Sequence, residues 1–195
     1  MNRLYRRVYT KTGFSLIELL ITFVILGVMA AIAIPAFSNW RPNYELRSAA
    51  NELLANMQLT KLGAIKRNAT WAIVFDPGNK RYFICSSDGG DGWDSASPPG
   101  NDTVEKTVNF TQYDPNGNIG YGDGNAAFDA TTSAGVIPPD FVSYASPDNA
   151  ATFNSRGIGT AGYIYLANNK NTAYAVGSQS SGVIVLKKWK NNDWE

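Results

Sequence analysis

The chain has 195 residues, 17 Lys+Arg against 16 Asp+Glu, a single cysteine and no histidine. Without histidine, imidazole acid–base catalysis, His-bearing triads and the usual zinc sites are excluded, and the lone Cys85 excludes an internal disulfide or a paired-thiol motif. The length suits one ordinary domain with or without an appendage, and 18 Gly with 10 Tyr fit a turn-rich β domain better than a helical bundle; with these exclusions an enzyme is disfavoured.

Residues 1–12 carry Arg3, Arg6, Arg7 and Lys11 and no acid, and residues 14–37 form an apolar stretch whose only charge is Glu18. As a helix that stretch covers about 36 Å, enough to cross a hydrocarbon core of about 30 Å. The positive-inside rule puts the four cations in the cytoplasm and everything after Trp40 outside it. A secretory signal is the ordinary alternative, since Ala31-Ile32-Ala33 offers a loose A-x-A cleavage pattern. Glu18 does not fit that alternative. A carboxylate in a membrane helix costs on the order of 2.5–3.5 kcal/mol at mid-bilayer, less near the interface, and the apolar stretch holds no cation to pair with it. A cut between Gly13 and Phe14 would create an α-amino group that a neighbouring copy could offer to Glu18. The pair would then form only on assembly and would fix register. Losing the leader would also turn the net charge from +1 to −3, because four cations and no acid leave with it.

The run Gly13-Phe14-Ser15-Leu16-Ile17-Glu18-Leu19-Leu20-Ile21 resembles the class III leader of type IV pilins and type II secretion pseudopilins. The resemblance implies that a membrane prepilin peptidase cuts after Gly13, that the new N-terminal Phe14 is methylated, and that Glu18 serves assembly. It implies partners as well: other pilins through the apolar helix, the peptidase, and an inner-membrane assembly platform. By the same resemblance the precursor is single-pass in a bacterial inner membrane, N-terminus cytoplasmic and head periplasmic, and is later drawn into a filament.

Pro35 is expected to kink the helix or free a carbonyl near Ala31, and Pro42 marks a second interruption where the chain leaves the membrane. Beyond it Leu46, Ala49/Ala50, Leu53/Leu54, Met57 and Ala64/Ile65 recur at helical spacing, so residues 43–67 read as an amphipathic helix whose stripe wants a sheet to pack on. The segments Arg47-Ser48-Ala49-Ala50-Asn51-Glu52-Leu53, Ala64-Ile65-Lys66-Arg67-Asn68 and Phe153-Asn154-Ser155-Arg156-Gly157 resemble the GspH/FimT branch of minor pseudopilins and minor pilins. The fold class that follows is α+β, one long N-terminal helix packed on an antiparallel β head, the lollipop architecture of pilins. The division is a leader at 1–13, a membrane and filament-core helix at 14–40, an amphipathic helix at 41–68, and a head at 69–195 with a long irregular insertion at about 87–150.

Within the head, residues 70–76 and 80–86 read as a hairpin around Asp76-Pro77-Gly78-Asn79, and strands are expected near 162–167, 172–177 and 182–189. The interval 82–155 holds ten acids and one base, Lys106, which disfavours nucleic acid over that face and favours a cation or a basic protein. Two acidic sets are candidate calcium ligands. Asp114, Asn116, Asn118 and Asp123 follow an alternating oxygen pattern, though Ile119 and Asn125 stand where an EF-hand places glycine and glutamate. Asp88, Asp91 and Asp94 space three carboxylates by three residues; the alternative for both sets is plain turn formation. Calcium apart, no cofactor is expected. Lys187, Lys188 and Lys190, interleaved with Trp189, are a candidate nucleic-acid contact or a solvated edge strand. Cys85 reads as a small buried hydrophobe. The function implied is a structural subunit of a type II secretion pseudopilus or a type IV pilus, with a DNA- or surface-binding minor pilin as the competing reading.

Overall fold

The computed structural model describes residues 13–94, 100–132, 135–144 and 149–195, without the side chains of Ala36, Ser38 and Asn39. The cations Arg3, Arg6, Arg7 and Lys11 lie outside the described residues. The chain divides into two compact units, Met1–Asn39 and Trp40–Glu195.

Among the described residues the one α-helix, α1, is Leu16–Arg67 and runs through both Pro35 and Pro42. Pro42, expected as an interruption, is an internal helical residue. A proline removes one N–H and one hydrogen bond, and here side chains on either side of it hold the turn. Arg41 Nε lies 2.5 Å from Glu45 Oε1 across Pro42, and Asn43 Oδ1 accepts hydrogen bonds from Asn168 Nδ2 at 2.9 Å and Thr172 Oγ1 at 2.8 Å. The helix stops at Asn68, which takes the left-handed conformation (φ 53°) while the Ala69 N–H reaches back to the Ala64 carbonyl at 3.1 Å. Asparagine tolerates that conformation, so it serves here as the C-terminal stop.

Nine strands follow among the described residues: β1 (Trp71–Asp76), β2 (Arg81–Ser87), β3 (Thr103–Asn109), β4 (Gly120–Tyr121), β5 (Ala150–Phe153), β6 (Gly162–Ala167), β7 (Ala173–Ser178), β8 (Ile184–Lys190) and β9 (Asp193–Trp194). They form two antiparallel sheets, ordered β3-β2-β1-β5 and β4-β6-β7-β8-β9. The expected β1–β2 hairpin is present, with Ile73 opposite Ile84 and Asp76 opposite Arg81. Asp76 closes its turn by accepting the Asn79 N–H at 3.2 Å and holds Arg81 Nε at 2.9 Å.

The second half of α1 packs on both sheets. Its buried residues Leu46, Ala49, Ala50, Leu53, Met57 and Ala64 share one core with Ile73, Phe75 and Ile84 of the first sheet and Ile164, Leu166 and Val176 of the second. The fold is therefore α+β, a long helix against antiparallel sheet. Period-two alternation sends the other residues of the same strands to the outer faces. There Ala72, Val74, Phe83 and Cys85 are covered by Trp93, and Tyr163, Tyr165, Trp189 and Trp194 are covered by Phe128, Ala130, Ile137 and Phe141. Residues 87–150, expected as one irregular insertion, are not irregular throughout: they contribute β3, paired with β2, and β4, paired with β6. Among its other described residues, Trp93, Phe128, Ala130, Ile137 and Phe141 supply the covers. Every residue of β1 is buried for this reason.

Candidate functional site

Ser15 sits just before α1, and its Oγ accepts the backbone N–H of Glu18 at 3.2 Å, while the Leu19 N–H reaches the Ser15 carbonyl at 3.2 Å. Ser15 and Glu18 thus stand at the spacing of an N-terminal capping box. That Ser-x-x-Glu signal precedes an apolar run in the sequence and gives Glu18 a place in the helix start itself, since a carboxylate in the first turn meets the positive end of the helix dipole. A Cβ placed on Gly13 would meet nothing within 4 Å, and Phe14 is 82% exposed, so no described residue covers the Gly13–Phe14 junction.

Leu16–Pro35 is long and apolar enough to cross a membrane, and none of it is buried. Leu19, Leu20 and Ile21 are all exposed although consecutive helical residues point about 100° apart. A helix apolar on every side needs lipid or other apolar helices around it. Its one hydroxyl, Thr22 Oγ1, is spent internally on the Leu19 carbonyl at 2.7 Å.

The two acidic sets fare differently. Asp114 is buried, with Oδ1 accepting the Asn116 N–H at 3.0 Å and Oδ2 the Asn118 N–H at 2.7 Å. Burial opposes its ionisation, but these hydrogen bonds outweigh it and hold the carboxyl below its ordinary range. Both its oxygens close their own turn, and Asp123 belongs to the next one, where its carbonyl accepts the Ala126 N–H at 2.9 Å. Asp88, Asp91 and Asp94 lie on the loop that carries Trp93 over the outer face of β1 and β2. A fourth carboxylate joins them, Asp102, only 9% exposed, whose Oδ2 accepts the Asp94 N–H at 3.1 Å. No spacing rule marks Asp102 in the sequence; the return of the loop into β3 places it. No group of three or more acidic or thiol side chains able to hold a metal ion stands ready among the described residues.

The three lysines do not form one patch. Lys187 shares the outer face of β8 with Trp189; its Nζ donates to the Ala130 carbonyl at 2.6 Å and lies 5.4 Å from the Tyr163 ring centre. Lys188 and Lys190 alternate to the opposite face, Lys188 over Tyr174 and Lys190 near Glu195 at 3.7 Å. Cys85 is buried, and burial first, then the Asp102 charge, pushes its thiol up to about 12.

Two family profiles match the chain. That of the prokaryotic N-terminal methylation motif covers residues 10–34, and that of type II transport protein GspH covers residues 49–185. No curated protein and no solved structure matches. The methylation motif spans the Gly13–Phe14 junction, Glu18 and the apolar helix, and the second profile spans the amphipathic half of α1 and the head as far as β8. The chain belongs to the GspH family of type II transport proteins, structural and non-catalytic pseudopilin subunits of secretion and pilus assembly.

Proposed function

We propose that the chain is a minor pseudopilin of a type II secretion pseudopilus, cut between Gly13 and Phe14, methylated at Phe14, and inserted through α1 into a filament whose surface carries the β head. One observation carries the reading: a single carboxylate, Glu18, in the first turn of an exposed, wholly apolar helix, five residues beyond a glycine and inside a methylation-motif match. The mechanism is assembly. Before incorporation the apolar half of α1 rests in the inner membrane, with its N-terminal side cytoplasmic and the head outside. On incorporation, helices of neighbouring subunits replace lipid, and the Phe14 amine of one subunit meets Glu18 of another. The pair forms in an apolar setting and only at the correct stagger, so it acts as a register device.

The test compares the native chain with Glu18→Ala in cells carrying the secretion machinery. Mass spectrometry of the mature native chain is expected to find N-methylated Phe14 at its start. Glu18→Ala is expected to be processed at the same bond yet nearly absent from sheared filaments, because a buried ammonium left unpaired costs about 3–5 kcal/mol, about a hundredfold or more in subunit addition. Normal incorporation of Glu18→Ala, or a mature N-terminus beyond Ala33, would refute the proposal.

A further inference from the structure

We propose that the end of the head built from Trp40, Tyr44, Arg47, Lys170 and Lys188 docks on the bilayer that the apolar helix crosses, its cations taking the phosphates of anionic phospholipids. The proposal rests on the reading of Leu16–Pro35 as a membrane span. Trp40 follows Pro35 by five residues, which even fully extended cover only about 18 Å. Chain connectivity alone therefore keeps Trp40 near the headgroups. The β6–β7 turn is brought to the same stretch of α1, because Asn168 and Thr172 both bond Asn43 Oδ1, and that turn carries the exposed Lys170.

Trp40 and Tyr44 are 56% and 58% exposed, and their rings stack with centres 5.0 Å apart. With Arg47, Ser48 and Asn51 they stand at i, i+4, i+7, i+8 and i+11, one face of α1 turned away from the buried Leu46, Ala49, Ala50 and Leu53. Tyr44, Arg47, Ser48 and Asn51 line a groove there, a set of N–H and O–H donors. The second sheet adds a cation beside them. Lys188 Nζ lies 5.8 Å from the centre of the Tyr174 ring, and burial raises the Tyr174 hydroxyl while the nearby Arg47 charge opposes it. Arg47, Lys170 and Lys188 are exposed and in no ion pair among the described residues. Of the acids at this end, Glu45 meets Arg41 at 2.5 Å, Glu195 meets Lys190 at 3.7 Å, and Asp193 accepts the Trp194 N–H at 2.7 Å. Asp123 is half-buried on the turn packed against Asn171. Exposed aromatic rings and unpaired cations suit a layer of anionic headgroups, whereas residues 82–155, with ten acids and one base, repel it. The charge pattern thus selects which end of the head meets lipid.

The experiment reconstitutes the full chain in phosphatidylcholine vesicles containing brominated phosphatidylglycerol or brominated phosphatidylcholine. It reads the quenching of Trp40, taken as the difference between the native chain and Trp40→Phe. Phosphatidylglycerol is expected to reach half quenching at a mole fraction at least about fivefold lower, the worth of one cation near an anionic surface. The triple variant Arg47→Gln, Lys170→Gln, Lys188→Gln changes three exposed side chains and leaves the leader cations in place. It should bring the two lipids to equality with near-ultraviolet circular dichroism unchanged. Should the triple variant lose that native signal, Lys170→Gln alone, on its exposed turn, decides instead by a reduced preference. Equal quenching of the native chain by both lipids, a Trp40 that neither lipid quenches because a second copy covers it, preference retained in the variants, or preference erased by millimolar inorganic phosphate would overturn the proposal. Extraction of the chain by alkaline carbonate would overturn the membrane reading and the proposal with it, whereas equal quenching of a carbonate-resistant chain overturns the docking alone.

Discussion

Replacing Tyr82 by phenylalanine tests how α1 is fastened to the first sheet. Tyr82 is fully buried in β2, and its hydroxyl accepts a 2.7 Å hydrogen bond from Asn56 Nδ2 on the helix, itself only 2% exposed. Asn56 Oδ1 in turn accepts from Lys106 Nζ on β3, which also meets Glu52, and the Tyr113 hydroxyl donates to Glu52. Tyr82→Phe leaves the ring packing intact and opens no cavity beyond one oxygen. Its cost is that of stranding a desolvated amide donor, about 1–3 kcal/mol. For a chain of this size that lowers the melting temperature by about 2–10 °C. Asn56→Leu should cost a similar amount, because it strands the Tyr82 hydroxyl and loosens Lys106. The double variant removes both polar partners and should be more stable than the sum of the singles, with a coupling of about 1–2 kcal/mol. Thermal unfolding followed by near-ultraviolet circular dichroism measures all four proteins. Native stability in Tyr82→Phe, or strict additivity in the double variant, would show that the helix is held by apolar burial alone and that this network is incidental.

Cys85 is expected to resist alkylation in the folded chain at pH 8, since burial holds its thiol well protonated, up to about 12, and to react at an ordinary rate once denatured; rapid labelling of the native protein would contradict its placement. Asp114→Ala should destabilise by about 1.5–3 kcal/mol at neutral pH through loss of two hydrogen bonds to a charged acceptor. Because the folded carboxyl titrates below its unfolded value, that contribution is complete above about pH 4 and fades as pH falls through the folded pKa. The gap between the melting curves of the two proteins should therefore narrow as pH is lowered from 7 past the ordinary carboxylate range, and a constant gap would be the contrary result.

The inner half of this architecture is written in local patterns. The stripe of Leu46, Ala49, Ala50, Leu53 and Met57 has a helical period, and Tyr163, Tyr165 against Ile164, Leu166 has a strand period, so the helix, the β1–β2 hairpin and the C-terminal strands can be read from spacing. Pro42 misleads because what holds the helix around a proline is not local: Asn43 is tied to Asn168 and Thr172, more than a hundred residues away. The capping relation of Ser15 to Glu18 is legible only as a Ser-x-x-Glu spacing, a short pattern that an apolar helix start does not by itself require.

The outer half obeys no period. Residues buried on both faces of β1 need a second cover, and nothing in Trp-Ala-Ile-Val-Phe says which distant segment provides it. Here the cover is made of turns, held by single aromatic anchors such as Trp93 and Phe128. Turns draw on aspartate, asparagine and glycine because those residues bond their own backbone and accept left-handed conformations, and the same residues are calcium ligands. Composition therefore cannot separate a cover from a binding loop. What separates them is where each oxygen goes. Asp114 spends both on its own backbone, while Asp102 spends one on the Asp94 N–H and keeps the other buried without a partner among the described residues, so two acidic loops alike in sequence place their carboxylates differently once the head has folded.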